Sequence, residues 1–133
     1  YVFDNTIIRG STLTAGGFDY EFPVFVVVGK NNNLIPLMLR WARIHMVNVE
    51  IAGGVVTSGL GALGGWVLVD ELLNAIRAMD KTEFEYPYTK EMFLVYLEMF
   101  LKPDLDIDGD GVKEAFSMGL TFQVTTGSII RPL

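Results

Sequence analysis

Apolar residues recur with one period in the first half of the chain, another in the middle and the first again at the end. Early on, β-branched and aromatic residues cluster between turn formers. This predicts strands over Tyr1–Arg9, Phe18–Val28, Ile35–Ile51 and Val55–Ser58. The separators are Thr14-Ala15-Gly16-Gly17, Gly29-Lys30-Asn31-Asn32-Asn33 and Ala52-Gly53-Gly54, rich in residues that accept positive φ at low cost. Short turns of this kind make neighbouring strands antiparallel. The period then lengthens to that of a helix. With Asp70 as N-cap and Glu71 in the first turn, Leu72, Leu73, Ile76 and Met79 share one face, and the pattern ends near Asp80. A second helix is expected from the N-cap Thr89, with Glu91 near its positive end. It carries Met92, Phe93, Tyr96, Leu97, Met99 and Phe100 and stops before Pro103. The connection Lys81–Tyr88 brings Phe84, Tyr86, Pro87 and Tyr88, aromatics expected to cover an end of the core. Finally Phe116, Met118, Leu120, Phe122 and Val124 alternate with Ser117, Gly119, Thr121, Gln123 and Thr125, a strand with one core face and one wet face.

These elements imply a mainly β fold: an antiparallel sandwich, jelly-roll-like in outline, with two inserted α-helices capping an open end. The last strand is expected to pair with an early one. The 133 residues fit a single domain over 1–133, since a chain of this length buries roughly two thirds of its unfolded surface. Hydrophobic residues make up 50% and charged residues 20%, which excludes disorder. The ten basic residues are scattered singly and the net charge is −6, so no stripe exists to neutralise phosphates and nucleic acid is excluded as a partner. Without cysteine there are no disulfides, thiolate metal sites or thiol nucleophiles, and the redox compartment stays open.

Ile51–Val69 lacks charge and approaches the length of a membrane span. Its six glycines and acidic flanks, Glu50 and Asp70-Glu71, favour glycine-punctuated strands over a transmembrane helix. Any membrane association would then run through a lipid anchor. A chain opening on Tyr1, with no signal-like apolar stretch before its first turn, is expected to be a processed or excised piece.

The chemistry concentrates in Asp104-Leu105-Asp106-Ile107-Asp108-Gly109-Asp110-Gly111-Val112-Lys113-Glu114. Carboxylates at alternate positions in a glycine-bent loop can converge on one hard cation. Calcium takes six to eight oxygens at about 2.3–2.6 Å, while magnesium accepts fewer protein ligands. Five acids against Lys113 also leave a local charge of −4 that calls for a counter-ion. The expected ligands are Asp104, Asp106, Asp108, Asp110, the Val112 carbonyl and Glu114, in one of two registers. Counting from Asp106 puts Asp108 and Asp110 at positions three and five, Gly111 at the turn, Val112 at seven, Glu114 at nine and Ser117 at twelve. Counting from Asp104 puts Gly109 at the turn and Ala115 at twelve. Neither register has the usual acid at twelve, so modest affinity is expected, suited to millimolar extracellular calcium.

The Asp-x-Asp-x-Asp-Gly spacing resembles the calcium loops of dockerins and thrombospondin type 3 repeats over about a dozen residues. That resemblance implies an ion and no particular fold. Across most of the chain, Ile35-Pro36-Leu37, Ala42-Arg43-Ile44, Ser58-Gly59-Leu60-Gly61 and Gly64-Gly65 before Asp70-Glu71-Leu72-Leu73, then the acidic loop and Ser117-Met118-Gly119-Leu120, look like bacterial exported lipoproteins. This implies an address in the cell envelope or outside the cell, and no activity.

The other reactive residues form no catalytic set. His45, the one histidine, lies inside a strand pattern with no Ser–Asp partner nearby in sequence. Glu83 and Glu85 sit in a connector, where solvated carboxylates are the rule. Gly61-Ala62-Leu63-Gly64-Gly65 lacks the Lys-Ser/Thr of a phosphate loop. Trp41, Trp66, Tyr86 and Tyr88 offer aromatic surface for either core packing or sugar stacking. The expectation is a non-enzymatic extracytoplasmic or cell-surface structural or adhesive domain. One calcium ion would stabilise it, and it would be open to self-assembly or to another envelope protein. The alternative is a carbohydrate-binding module with structural calcium.

Overall fold

A computed structural model gives the fold of residues 3–126. Its strands are β1 (Ile7–Arg9), β2 (Thr12–Gly16), β3 (Glu21–Val28), β4 (Asn33–Ala52), β5 (Val55–Leu68) and β6 (Ala115–Thr125). Helices α1 (Val69–Ala78) and α2 (Lys90–Phe100) lie between β5 and β6, separated by a 3-10 turn at Lys81–Glu83. The β-rich antiparallel fold with two helices is as expected. Its strands, however, belong to one sheet, ordered β1-β2-β4-β5-β6 with β3 also on β4. β4 unites them because it is long enough to be paired along both edges. One edge takes β3 from Asn33 to Arg40 and then β2 from Arg43 to Met46, while β5 follows the other edge from Arg40 to Ala52.

A strand of this length keeps one face on the core only if its side-chain alternation is corrected as the sheet twists. Inward residues of β4 run Ile35, Leu37, Leu39, then Ala42 and Met46, then Val49. Each change of parity falls at a non-glycine residue with positive φ, Trp41 at +54° and Asn48 at +53°. The register against β5 gains one residue at each place, between Arg40 and Arg43 and between Val47 and Glu50. These are β-bulges. Asn tolerates the left-handed region, whereas a bulky residue such as Trp41 stores strain of about 1–3 kcal/mol there.

Three sequence expectations change. Thr14-Ala15-Gly16-Gly17 is not a turn: Thr12–Gly16 is β2, and the reversal comes earlier, at Gly10-Ser11 between the paired Arg9 and Thr12. The strand beginning at Val55 continues to Leu68, and β6 pairs with this late strand throughout. The glycines that broke its apolar pattern are spaces for neighbours. A Cβ on Gly61 would meet the Phe122 ring, and one on Gly65 would lie 2.5 Å from the Arg40 carbonyl. The hairpin at Ala52-Gly53-Gly54-Val55 is as read, both glycines having positive φ as a two-residue turn needs.

The main core joins Val24 and Val28 of β3, Ile35, Leu37 and Leu39 of β4, Leu63 and Val67 of β5, and Leu72 and Ile76 of α1. Leu39 and Ile76 are fully buried, each worth roughly 2–3 kcal/mol of apolar transfer. A smaller cluster of Leu13, Ala15, Met46 and Val49 fills the β2 end. α2 packs through Phe93, Leu94 and Leu97 without burying any residue completely. Arg77 meets Glu98 at 3.3 Å, and Lys90 donates to the Arg77 and Met79 carbonyls, covering the negative end of α1.

The helix starts also separate expectation from outcome. Thr89 caps α2 as read, accepting from the Met92 amide at 3.2 Å. Asp70 does not cap α1. The cap position is Leu68, without a side-chain bond, and Asp70 lies in the first turn with Glu71. The Val69 amide donates instead to the Glu114 carbonyl at 3.0 Å, across the chain, and Glu71 forms a two-pronged pair with Arg40 at 2.6 and 3.1 Å.

Gly64 and Gly65 alternate across the β5 pleat, so their substitutions should part company. Gly65→Ala forces a Cβ against Leu39 and the β4 backbone and should cost about 1–3 kcal/mol in urea unfolding. Gly64→Ala, whose Cβ meets only the Met118 carbonyl at 3.8 Å, should change stability little.

Candidate metal centre

The acidic segment is a closed loop. Pro103 follows the end of α2, and the chain then forms a short antiparallel neck in which Leu105 bridges Ala115. The neck is made of backbone bonds, Leu105 N and Asp104 N to the Ala115 carbonyl and Glu114 N and Ala115 N to the Leu105 carbonyl, at 2.9–3.2 Å. Asp106 to Glu114 therefore leave and return at one fixed point. Through the Glu114 carbonyl that point also holds the first amide of α1.

Within the loop, carboxylates fold the backbone around themselves. Asp106 accepts from the Gly109 and Gly111 amides, both at 2.8 Å. Asp108 accepts from Asp110 N at 3.1 Å, Asp110 from Val112 N at 2.7 Å, and Glu114 from Ile107 N at 2.6 Å. Gly109 and Gly111 have φ of +78° and +89°, which makes the tight reversals between successive acids possible. The result is a cluster of Asp106, Asp108, Asp110 and Glu114, each offering an oxygen, all within 4.8 Å of one another. Four converging carboxylates of this kind can hold a metal ion.

The cluster contains positions one, three, five and nine of the register counted from Asp106. Val112 lies in the same turn, at position seven. Asp104 stands apart from the cluster, contrary to its place among the expected ligands: it accepts from Ser117 N at 2.8 Å and Ser117 Oγ at 2.7 Å. Ser117, counted at position twelve, is thus engaged below the neck, on β6. The reason is the Leu105–Ala115 bridge, which separates Asp104 and Ser117 from the loop above it. Nothing in the sequence marked that bridge, because it is made entirely of main-chain groups. The Ser117 hydrogen bonds hold the Asp104 carboxyl below the usual carboxylate range.

Elsewhere, Glu83 is spent on structure. It accepts from Asn31 Nδ2 at 2.9 Å and Asn33 Nδ2 at 2.8 Å, tying the β3–β4 turn to the 3-10 turn, and the Asn31 bond leads in lowering its pKa. Glu85 sits 3.8 Å from Lys30 on the surface. His45 projects exposed from the sheet face opposite the core. No helix among the described residues is long and apolar enough to cross a membrane. No family model matches the chain, and comparison with curated proteins and with solved structures finds no match.

A carboxylate whose folded pKa is lowered stabilises the fold above its unfolded value, near 3.9, and loses that contribution as pH falls through the folded value. Wild-type stability in urea should therefore drop across this acid range more steeply than that of Asp104→Asn, which keeps an acceptor but cannot titrate. Parallel pH profiles would show that the Ser117 contacts do not form in solution.

Proposed function

We propose that the chain is a non-enzymatic structural or adhesive domain of the extracellular space or the bacterial cell envelope, stabilised by one calcium ion and built to self-assemble. The observation that carries the ion is the convergence of Asp106, Asp108, Asp110 and Glu114 on one point. Oxygens on opposite sides of a calcium ion stand about 4.6–5.2 Å apart, against about 4.0–4.2 Å around magnesium. The four oxygens, all within 4.8 Å of one another, fit inside the span of a calcium shell, and the all-oxygen donor set with a main-chain carbonyl beside it supports calcium as the ion. The Val112 carbonyl and water would complete its shell. Such a site, lacking a bidentate acid at position twelve, suits the calcium concentrations outside cells, which supports the proposed address.

The ion's mechanical role follows from the neck. Four carboxylates packed together repel one another and strain the loop that bears the α1 amide and the start of β6. Neutralising them would steady the junction of β5, α1 and β6. At ten times the dissociation constant, calcium should add ~1.4 kcal/mol, a rise of several degrees in unfolding midpoint over EDTA. Asp108→Asn should abolish that rise. Superimposable curves with and without calcium would reduce the cluster to a solvated acidic turn.

Assembly is supported by α2, whose sequence KEMFLVYLEMF is apolar on nearly every side while none of its residues is buried. A helix of that composition usually ends up enclosed. Val95, Met99 and Phe100 are all more than half exposed, and Tyr88 borders the same region beside Phe93, Tyr96 and Phe100. A second copy covering this surface would make an interface of like residues. Sedimentation should show a concentration-dependent oligomer that Met99→Glu with Phe100→Glu returns to monomer. A wild-type monomer at every concentration would exclude assembly.

A further inference from the structure

The sheet face turned away from the core carries two hollows on either side of an aromatic ridge. Trp41 and Phe18 form the ridge, 51% and 72% exposed, with ring centroids 5.1 Å apart. On one side lies a trough of about 740 Å³ floored by Ala62 and Gly64, with Arg43 and His45 along it and Asp106 at its far wall. On the other lies a hollow of about 750 Å³ rimmed by Asp19, Glu21 and Arg40. Both volumes fall within the roughly 300–1,000 Å³ typical of small-molecule sites.

Three features set this place apart from ordinary surface. Trp41 holds its ring outward from a left-handed bulge position where Gly or Asn would be relaxed, and strain of this sort gathers at functional sites. Trp66 borders both hollows, is nine-tenths buried, and its Nε1–H has no acceptor among the described residues. The side chains of Arg43 and His45 are exposed, line the trough and have no side-chain hydrogen bond or ion pair among the described residues, so each offers donors to it.

We infer that this ridge and its two hollows bind an oligosaccharide, its rings stacking on Trp41 and Phe18. The mixture of charges decides the ligand class. An anion would meet Asp19 and Glu21, a cation would meet Arg40 and Arg43, and a purely apolar molecule would strip water from all of them without return. A neutral sugar has apolar C–H faces for the rings, together with hydroxyls that accept from Arg43 and His45 and donate to Asp19. Hollows on both sides of one ridge call for more than one sugar ring. The ridge and floor come from β4, β5 and the segment before β3, and the ion loop contributes only one wall of the trough, at Leu105, Asp106 and Ile107.

Two substitutions probe the site without disturbing the core. Trp41→Gly removes the ring and relieves the left-handed strain. Gly64→Leu fills the trough from a position with ordinary φ and no close neighbour beyond the Met118 carbonyl. The full chain, kept in excess calcium so that the loop is in one state, would be titrated with soluble gluco-, xylo-, manno- and chito-oligosaccharides. Tryptophan fluorescence and calorimetry would report binding. The expected result is saturable binding of at least one series, weakened about tenfold or more in each variant while both keep a cooperative unfolding transition. Absence of saturable binding across the four series, or equal affinity in wild type and both variants, would overturn the inference.

Discussion

The fold depends on β4 staying on the core from Ile35 to Val49. Three strands are assembled along its two edges, and a sheet that twists would carry a strictly alternating strand of twenty residues out of phase with the core. Two inserted residues, Trp41 and Asn48, absorb the mismatch. Each moves the next apolar residue back inward, so that Leu39, Ala42, Met46 and Val49 are all buried despite their uneven spacing. Without the first bulge, Ala42 and Met46 would face water while Arg43 and His45 entered the core. The same bulge turns Trp41 outward, so a device of folding also builds the aromatic ridge.

A second constraint couples the acidic loop to the helical layer. The loop's neck is main chain throughout, and its Glu114 carbonyl takes the place of the missing side-chain cap on α1. Any force on the four clustered carboxylates is therefore transmitted to the first turn of α1 and to the start of β6. Arg40 binds the same helix end from the sheet, through Glu71, while lying 5.4 Å above the Trp66 ring. Loop, helix start and outer sheet face thus meet within one small region. This is where an ion could exert the most leverage on the rest of the molecule.

The distribution of apolar surface gives the two faces of the molecule different characters. On the helical side, α2 shields the core only partly and leaves aromatic and methionine side chains outside. On the opposite face, exposed rings stand among charged and polar side chains over a floor of small residues. The first arrangement suits a broad dry contact with another protein surface, the second a narrow ligand that is partly polar. On the proposed reading, a ligand would be held on one side and a second copy of the chain on the other.

Local signals carried most of what the sequence alone determined. The strands β3, β4 and β6, both helices, the Thr89 cap, the Gly53-Gly54 turn and the four clustered acids all follow from spacing and side-chain type within a few residues. Such signals fail where a distant group replaces a local one. Asp70 had the right chemistry for a cap, but Glu114 supplied the acceptor from across the chain. Asp104 had the right spacing for a ligand, but the Leu105–Ala115 bridge left it with Ser117. The glycines of β5 looked like breaks because the Phe122 ring and the Arg40 carbonyl that need their space are remote in sequence. Strand order, the bulges of β4 and the ridge of Trp41 and Phe18 were decided only in the tertiary structure. Each arises from main-chain pairing between distant segments, and main-chain groups are the same at nearly every residue.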